Sequence, residues 1–497
     1  MGKRSVAFFV STKNVSHADL SNPLEGNPGI GATQYLFVLI ASELKKRFKH
    51  KYDILFITDS PCLLPTNLEV LYASDIYDAI DRYQTDLLII RTPESPAVYE
   101  YINKSGRRII TWSHNRIWYR TASMIADCNN IVRNVCVGYK QALEMFGHEV
   151  MKKTVVIHNP VPQIHLVERD LEQPIVTYMG HLDKPRGFHF LASQWKQILN
   201  SVPNAQLHVI GAANLYDRSL ELGRLGVASK SYEKRFLRYI VDDKDVLLPS
   251  VFFHGIMGQE KISILRNTMV GVVNPVGYEA LPTSILEMAA CGIPVVSINK
   301  YGQSEVVLHN STGLLFNRKR DFAEYIITLL KNKELNRELG DNAEKFVSQN
   351  FNLDKILAMW SKELDSCIMA SVSSEDSLML VYGNKKSYMR KGMFWFKSYV
   401  RDLKHFVGIE KVGFVMIAKM ILLCGVFGET LFFTILTVFG MSYLGITESS
   451  IYVYYWAGVC FFVALLTVKL VLSANYTKKA SVLFGYIMIS IIFLCIY

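Results

Sequence analysis

The strongest constraint in this chain is an alternation that runs once and then starts again. Between residues 5 and 160, five short β-rich runs, "SVAFFVS", "YDILFIT", "TDLLIIR", "RRIITWS" and "KTVVIHNP", are separated by helical stretches. One of these, "TQYLFVLIASELKKRF", is apolar at helical spacing and ends in basic residues that suit a helix C-terminus. Apolar strands alternating with helices predict a parallel sheet wrapped by helices. The pattern then restarts with "QPIVTYMG", "AQLHVIG", "SVFFHG", "MVGVVNP" and "IPVVSI". Between the halves, the proline-punctuated "IHNPVPQIHLVERDLEQP" reads as a linker. The expected fold class is therefore α/β, with two Rossmann-like domains, residues 1–165 and 166–370, facing each other across a central cleft. Ligands of such sheets bind beyond the carboxyl ends of the strands, which makes the residues just after each strand the candidates for function.

The chain changes character after residue 370. The stretch "KKSYMRKGMFWFKSYVRDLK", residues 385 to 404, mixes lysine and arginine with Phe394, Trp395 and Phe396. That is the composition of a helix lying on an anionic membrane surface, so residues 371–410 read as a linker and interfacial segment. Three apolar runs follow within residues 411–497, each about long enough to cross a hydrocarbon core of roughly 30 Å as a helix. Lysines and arginines are dense before the first run, absent from "MSYLGITESS" and present again in "SANYTKKA". The positive-inside rule then predicts three spans, with the first flank inside and Tyr497 outside. Lys419 and Glu429 fall within the first run and require pairing, snorkelling or a re-entrant path. A two-span hairpin would place Tyr497 inside instead. The N-terminal apolar run is too short for a secretory signal, and Val6 stands where myristoylation after Gly2 expects serine or threonine.

The net charge of +10 raises the question of nucleic acid, yet no recognisable nucleic-acid-binding motif is present. Much of the excess lies in the basic stretch before the apolar runs. The eight cysteines, Cys62, Cys128, Cys136, Cys291, Cys367, Cys424, Cys460 and Cys495, show neither CxxC nor zinc spacing. They read as small buried hydrophobes in a reducing compartment.

Four stretches hold residues that could carry chemistry. In "GNPGIGATQY", residues 26 to 35, Gly29 and Gly31 precede a helix whose free N–H groups suit an anion, although the spacing is neither GxGxxG nor a Walker loop. "TWSHN" places His114 just after a strand. A lone histidine is ordinarily structural, and its position at the cleft is what marks it. In "YMGHLDKPRGF", Gly180 ends a strand and is followed by His181, Lys184 and Arg186, cations that could neutralise a leaving diphosphate. In "VGYEALPTSILEMAACGIPVV", Pro282 sets the turn into a helix and leaves the amides of Thr283 and Ser284 free to face an anion. Glu279 precedes that helix start and Glu287 follows it by one turn, so the two carboxylates can accept hydrogen bonds from hydroxyls on either side of a bound phosphate. "DDKD" at 242 to 245 has the look of a DxD metal signature but sits in a charged loop and reads as solvated.

Taken together, these motifs resemble those of the retaining glycosyltransferases of the GT4 family, over approximately residues 5 to 350. "EALPTSILEMAACGIPVV" resembles the family's E-x7-E motif, "YMGHLDKPRG" its G-R-L-x-x-x-K-G loop, "GIGAT" its N-terminal glycine-rich turn and "VIHNPV" its interdomain strand. The resemblance implies a GT-B fold and a nucleotide-sugar donor as substrate, with no cofactor and no metal. It implies that Glu279 and His114 contact the transferred sugar, that Glu287 contacts the nucleotide ribose and that Arg186 holds the diphosphate. Two residues depart from the pattern. His181 stands where the family has a phosphate-clamping arginine, and Ala280 replaces the glycine after the first glutamate; Lys184 is the candidate to compensate. The leading expectation is a membrane-anchored enzyme with cytoplasm-facing catalytic domains, acting on a lipid-linked or envelope glycan acceptor. The alternatives are a catalytically degenerate membrane scaffold, favoured by His181 and Ala280, and a sugar-nucleotide epimerase, for which a membrane anchor has no evident use.

Overall fold

The structure, a computed structural model, describes residues 3–161 and 169–369. The first sheet holds β1 (Arg4–Phe9), β2 (Tyr52–Thr58), β3 (Glu69–Tyr72), β4 (Leu87–Arg91), β5 (Ile109–Ser113), β6 (Ile131–Cys136) and β7 (Thr154–Val156). Their order is β3-β2-β1-β4-β5-β6-β7. The second sheet holds β8 (Ile175–Met179), β9 (Gln206–Ile210), β10 (Val251–Gly255), β11 (Val270–Val272), β12 (Val295–Ile298) and β13 (Gly313–Phe316), in the order β10-β9-β8-β11-β12-β13. Every pairing between these strands is parallel. Each sheet reverses its strand order once, between β1 and β4 and between β8 and β11, and these switch points are where an open parallel sheet forms a crevice.

All ten runs read from the sequence are strands, and their burial shows why they were legible. In β4, Leu87 to Ile90 are buried and only Arg91 emerges, at the carboxyl end. Three further strands were not expected. β3 lies at a sheet edge with both end residues exposed, so it lacks a continuous apolar signature. β13 is a four-residue strand. β6 is interrupted by Arg133 and Asn134, each satisfied inside the fold. Arg133 pairs with Glu363 at 3.1 Å, and the Asn134 side chain accepts from the Thr111 and Ser113 hydroxyls at 3.0 Å each.

The last helix of the described residues returns from the second domain to the first. The helix Leu353–Ile368, capped by the Asn352 side chain, packs on the first domain. Trp360 is fully buried, with its ring 4.8 Å from that of Trp112 and 6.3 Å from that of Phe8. The Tyr52 hydroxyl donates to the Ser361 carbonyl at 2.9 Å, and Lys51 pairs with Asp365 at 3.0 Å. The physical reason is that an amphipathic helix announces a face to bury but not the partner that buries it.

Two further ties join the domains. The Glu305 carboxylate of the second accepts from the backbone N–H groups of Tyr139 and Lys140 at 2.6 and 2.8 Å and pairs with His158 Nε2 at 2.8 Å. Arg116 of the first lies 4.0 Å from the ring centre of Tyr278 and is itself held by Glu144 at 2.8 Å. The interfacial segment at 371–410 and the membrane spans at 411–497 lie outside the described residues. Among the described residues no helix is long and apolar enough to cross a membrane. The five described cysteines carry free thiols, and burial pushes that of Cys291 up to about 12.

Candidate functional site

A cleft of about 540 Å³ opens at the carboxyl ends of the strands, and the residues singled out in the sequence meet there with two exceptions. Its second-domain wall is built around Glu279. After β11 the chain turns at Asn274, whose φ of 36° is unusual for a residue with a side chain. The turn is fixed by its own side chain, since Oδ1 accepts from the Gly277 N–H at 2.7 Å while Nδ2 donates to Glu279 Oε1 at 2.9 Å. Gln303, fully buried, donates to the Gly277 carbonyl at 2.9 Å from behind. A Cβ on Gly277 would lie 2.0 Å from the Pro185 carbonyl, so glycine lets the loop carrying Arg186 close on the loop carrying Glu279. Arg186 Nη1 pairs with the same Glu279 oxygen that Asn274 holds. Burial disfavours the Arg186 charge, but the Glu279 carboxylate outweighs it and keeps the guanidinium ionised.

Next to this pair begins the helix Thr283–Ala290, with Pro282 at its N-cap. The N–H groups of Ile285 and Leu286 turn back to the Pro282 carbonyl at 3.1 and 3.3 Å. Those of Thr283 and Ser284 have no carbonyl within the helix to bond, and both residues line the cleft. One turn on, Glu287 is buried and pairs with buried Lys261 at 2.9 Å. The Lys261 ammonium also donates to the Asn27 carbonyl at 3.2 Å, tying the second-domain wall to the glycine-rich turn of the first. In that turn Asn27 Oδ1 accepts from the N–H groups of Gly29 and Ile30 at 3.0 and 2.9 Å. Gly29 has φ +85°, and a Cβ there would lie 2.9 Å from the Met257 carbonyl of the second domain. It is glycine for conformation and for close approach.

The first-domain wall carries His114, beyond the end of β5, and Arg91, at the end of β4. Neither ring nitrogen of His114 has a hydrogen-bond partner, and both are buried. Burial, assisted by the Arg91 charge, pushes the imidazole down to about 3, so it is neutral near pH 7. A neutral ring can donate from one nitrogen and accept at the other.

Two of the expected residues lie outside the cleft. Gly31 is not among the residues lining the cleft. A Cβ there would lie 2.8 Å from Tyr216 Cε1, so Gly31 makes room for a second-domain ring instead of presenting an N–H to an anion. Lys184 is exposed and is not among the residues lining the cleft. Gly180 and His181 do line it. His181 is fixed at both ends, its Nε2 2.7 Å from the Ala213 carbonyl and its Nδ1 3.0 Å from Asp183 Oδ2. Asp242 accepts from the Lys244 and Val246 N–H groups and Asp245 pairs with Arg224, away from the cleft. Among the described residues no three metal-ligating side chains gather.

Sequence reasoning missed Arg91, Lys261, Asn274 and Gln303. Arg91 stood in plain view as the last residue of "TDLLIIR", at the strand end where ligands bind. Asn274 followed the run "VGVV" directly. Lys261 and Gln303 belong to no motif, and only the fold brings them in.

This geometry has clear likenesses. Residues 165–346 match the family model described as glycosyl transferases group 1. The capsular polysaccharide biosynthesis glycosyltransferase CapM of Staphylococcus aureus is 26% identical over 181 residues, 36% of this chain and 42% of CapM. Among solved structures, the sucrose-phosphate synthase of Thermosynechococcus elongatus aligns with a TM-score of 0.55 at 15% identity, over 74% of this chain and all of that one. Anabaena Alr3699/HepE in complex with UDP-glucose aligns with a TM-score of 0.51 at 15% identity, over 73% of this chain and all of that one. The chain spans about half the length of the curated relatives it matches, or less. The fold is of the GT-B type.

Proposed function

We propose that this protein is a membrane-anchored retaining glycosyltransferase of the GT4 family, moving a sugar from a nucleotide-sugar donor to a lipid-linked or glycan acceptor. The observation that carries the reading is Glu279, clamped by Arg186 and Asn274, beside the unbonded amides of Thr283 and Ser284. In this reading the donor diphosphate lies against those amides with Arg186 and His181 around it, where fixed positive charge acts most strongly on a developing anion. Glu279 and neutral His114 accept and donate hydrogen bonds to the sugar, and Glu287 takes the ribose. The acceptor hydroxyl oxygen attacks the anomeric carbon as the bond to the diphosphate breaks, the hydroxyl proton passes to the departing diphosphate oxygen, and the configuration is retained. The charge on the leaving group is met by the chain's own donors, so we propose that no metal is needed.

Purified full-length protein screened against nucleotide sugars tests this, scored by thermal shift and nucleoside diphosphate release. UDP-glucose is the first donor to try, because HepE of similar fold was captured with it. A glycosylated product with retained configuration is expected. No turnover with any donor supports a scaffold, and an isomerised nucleotide sugar supports an epimerase. EDTA should leave the rate unchanged; a loss restored by magnesium would reject the metal-free step.

The anchor is the part of the proposal that rests on sequence alone. We propose that residues 411–497 cross the membrane three times with the catalytic domains in the cytoplasm, docked on anionic lipid through residues 371–410. Reporter fusions after Gly445, Tyr476 and Tyr497 decide the topology, and a cytoplasmic signal at Tyr497 would reject three spans. Deleting residues 411–497 should keep donor binding while greatly reducing transfer to a membrane acceptor, since the tether raises the effective concentration of enzyme and acceptor.

A further inference from the structure

Three basic side chains other than histidine line the cleft: Arg186, Lys261 and Arg91. Arg186 is paired with Glu279 and Lys261 with Glu287, both on the second-domain wall. Arg91 alone of the three forms no ion pair and no hydrogen bond among the described residues. It emerges from the end of β4, in register with Trp112 of β5, and so lies beside the strand end that carries His114. Among the described residues, the acidic ones lining the cleft are the two paired glutamates, and the neighbours on the Arg91 side are neutral amides and hydroxyls such as Asn14, Thr33, Gln34 and Asn115. An anion approaching this wall therefore meets an unpaired guanidinium, neutral hydrogen-bonding groups and no carboxylate. Arg91 is itself exposed at the rim of the cleft, and its guanidinium presents N–H donors in a planar fork that matches a phosphate oxygen pair.

From this asymmetry we infer that the acceptor carries a phosphate group and that Arg91 reads it, which makes Arg91 a specificity-determining residue on the acceptor side of the cleft. The inference rests on the glycosyltransferase reading above and adds a substrate class to it. The second wall already supplies Arg186, His181 and the helix amides to a donor diphosphate, so Arg91 is left for a second anion. His114, unpartnered next to it, then faces the space between donor sugar and acceptor. Two sources of such an acceptor fit the chemistry: a water-soluble sugar phosphate, or a sugar joined through a diphosphate to a lipid.

The test uses the full chain and matched acceptors. A methyl glycoside, the same glycoside bearing a phosphate monoester, and the same sugar linked through a diphosphate to a short prenyl chain in detergent micelles are each supplied with the donor found in the screen. Wild type should favour a phosphate-bearing acceptor over the neutral one at least tenfold in kcat/KM; which one it favours separates the two sources. Arg91→Gln should bring that ratio close to one, and Arg91→Lys should retain part of it. An unchanged ratio in Arg91→Gln, or a wild type indifferent to phosphate, would overturn the inference. Should wild type release no nucleotide from any donor, the glycosyltransferase reading itself has failed, and titration calorimetry with the glycoside phosphate decides on Arg91 separately. Tenfold weaker binding in Arg91→Gln, with Arg186→Gln unchanged, supports an anion site at Arg91; the reverse pattern assigns the phosphate to the donor wall and rejects it.

Discussion

The two walls of the cleft are built on opposite principles. On the second-domain side the two carboxylates are spoken for: Glu279 is held by Arg186 and Asn274, and Glu287 by Lys261. On the first-domain side, both nitrogens of His114 and the guanidinium of Arg91 have no partner. A wall whose polar groups satisfy one another keeps its shape without ligand, and a wall whose polar groups are unsatisfied is completed by one. The difference locates rigidity on the second-domain side and demand for ligand on the first-domain side, and substitutions should separate the two.

The largest effect is expected at Lys261. Its ammonium and the Glu287 carboxylate are both buried, and removing one partner leaves the other charge uncompensated. Lys261→Met should lower stability by about 3 to 5 kcal/mol, read as the midpoint of urea unfolding. The double variant Lys261→Met with Glu287→Gln should regain much of that loss. A double variant destabilised by the sum of Lys261→Met and Glu287→Gln measured singly would show that the pair is not coupled.

Glu279→Ala comes next. It removes the proposed contact to the reacting sugar and leaves Arg186 and the Asn274 amide facing an empty position, so transfer should fall by about a hundredfold, close to 2.7 kcal/mol. Glu279→Gln keeps the acceptor for Asn274 but loses the charge, and should fall between the two. Near wild-type turnover in Glu279→Ala would remove this residue from the chemistry.

His114 should show an effect on stability that depends on pH and is small near pH 7. Its imidazole is lowered from near 6.5 to about 3 in the folded chain, so below pH 6.5 the unfolded chain takes up a proton that the folded chain refuses. Stability contributed by the neutral ring is therefore complete above pH 6.5 and lost as pH falls towards 3, by up to about 1.4 kcal/mol per pH unit. His114→Asn should flatten the slope of unfolding free energy between pH 6 and 4 while lowering transfer at pH 7. His208, lowered to about 4 by burial and by His254, adds to the same acid window and remains in both proteins. An unchanged slope would mean that His114 is protonated in the folded chain.

These contrasts also explain what could be read from the sequence. Strands such as β4 and β8 were legible because a strand buried on both faces is apolar along its length, and β6 was missed because Arg133 and Asn134 interrupt that signature with polar groups satisfied by distant residues. Glu279, Thr283, Ser284 and Glu287 were legible because one loop and one helix turn place them together in sequence. Lys261 and Gln303 were not, since each reaches the site from a separate segment through a tertiary contact that no local spacing encodes. The return of Leu353–Ile368 to the first domain was hidden for the same reason.

The smallest expected effect is at Lys184, and it sharpens the comparison because sequence proximity alone would predict a large one. Lys184 lies two residues from Arg186, in a loop rich in charge, and could be imagined as the cation that replaces a missing arginine at His181. Its side chain is exposed and lies outside the cleft. A surface charge away from buried pairs shifts stability by less than about 0.5 kcal/mol, and across solvent its field at a bound diphosphate is screened within about 10 Å at ordinary ionic strength. Lys184→Ala should therefore change transfer by less than about twofold, whereas Arg186→Ala, two positions on, should come close to Glu279→Ala. If Lys184→Ala instead lost activity in step with Arg186→Ala, and the loss grew as salt was lowered, the loop would have to move inward when donor binds. The donor wall would then be completed by ligand as well, and the distinction between the two walls would fail.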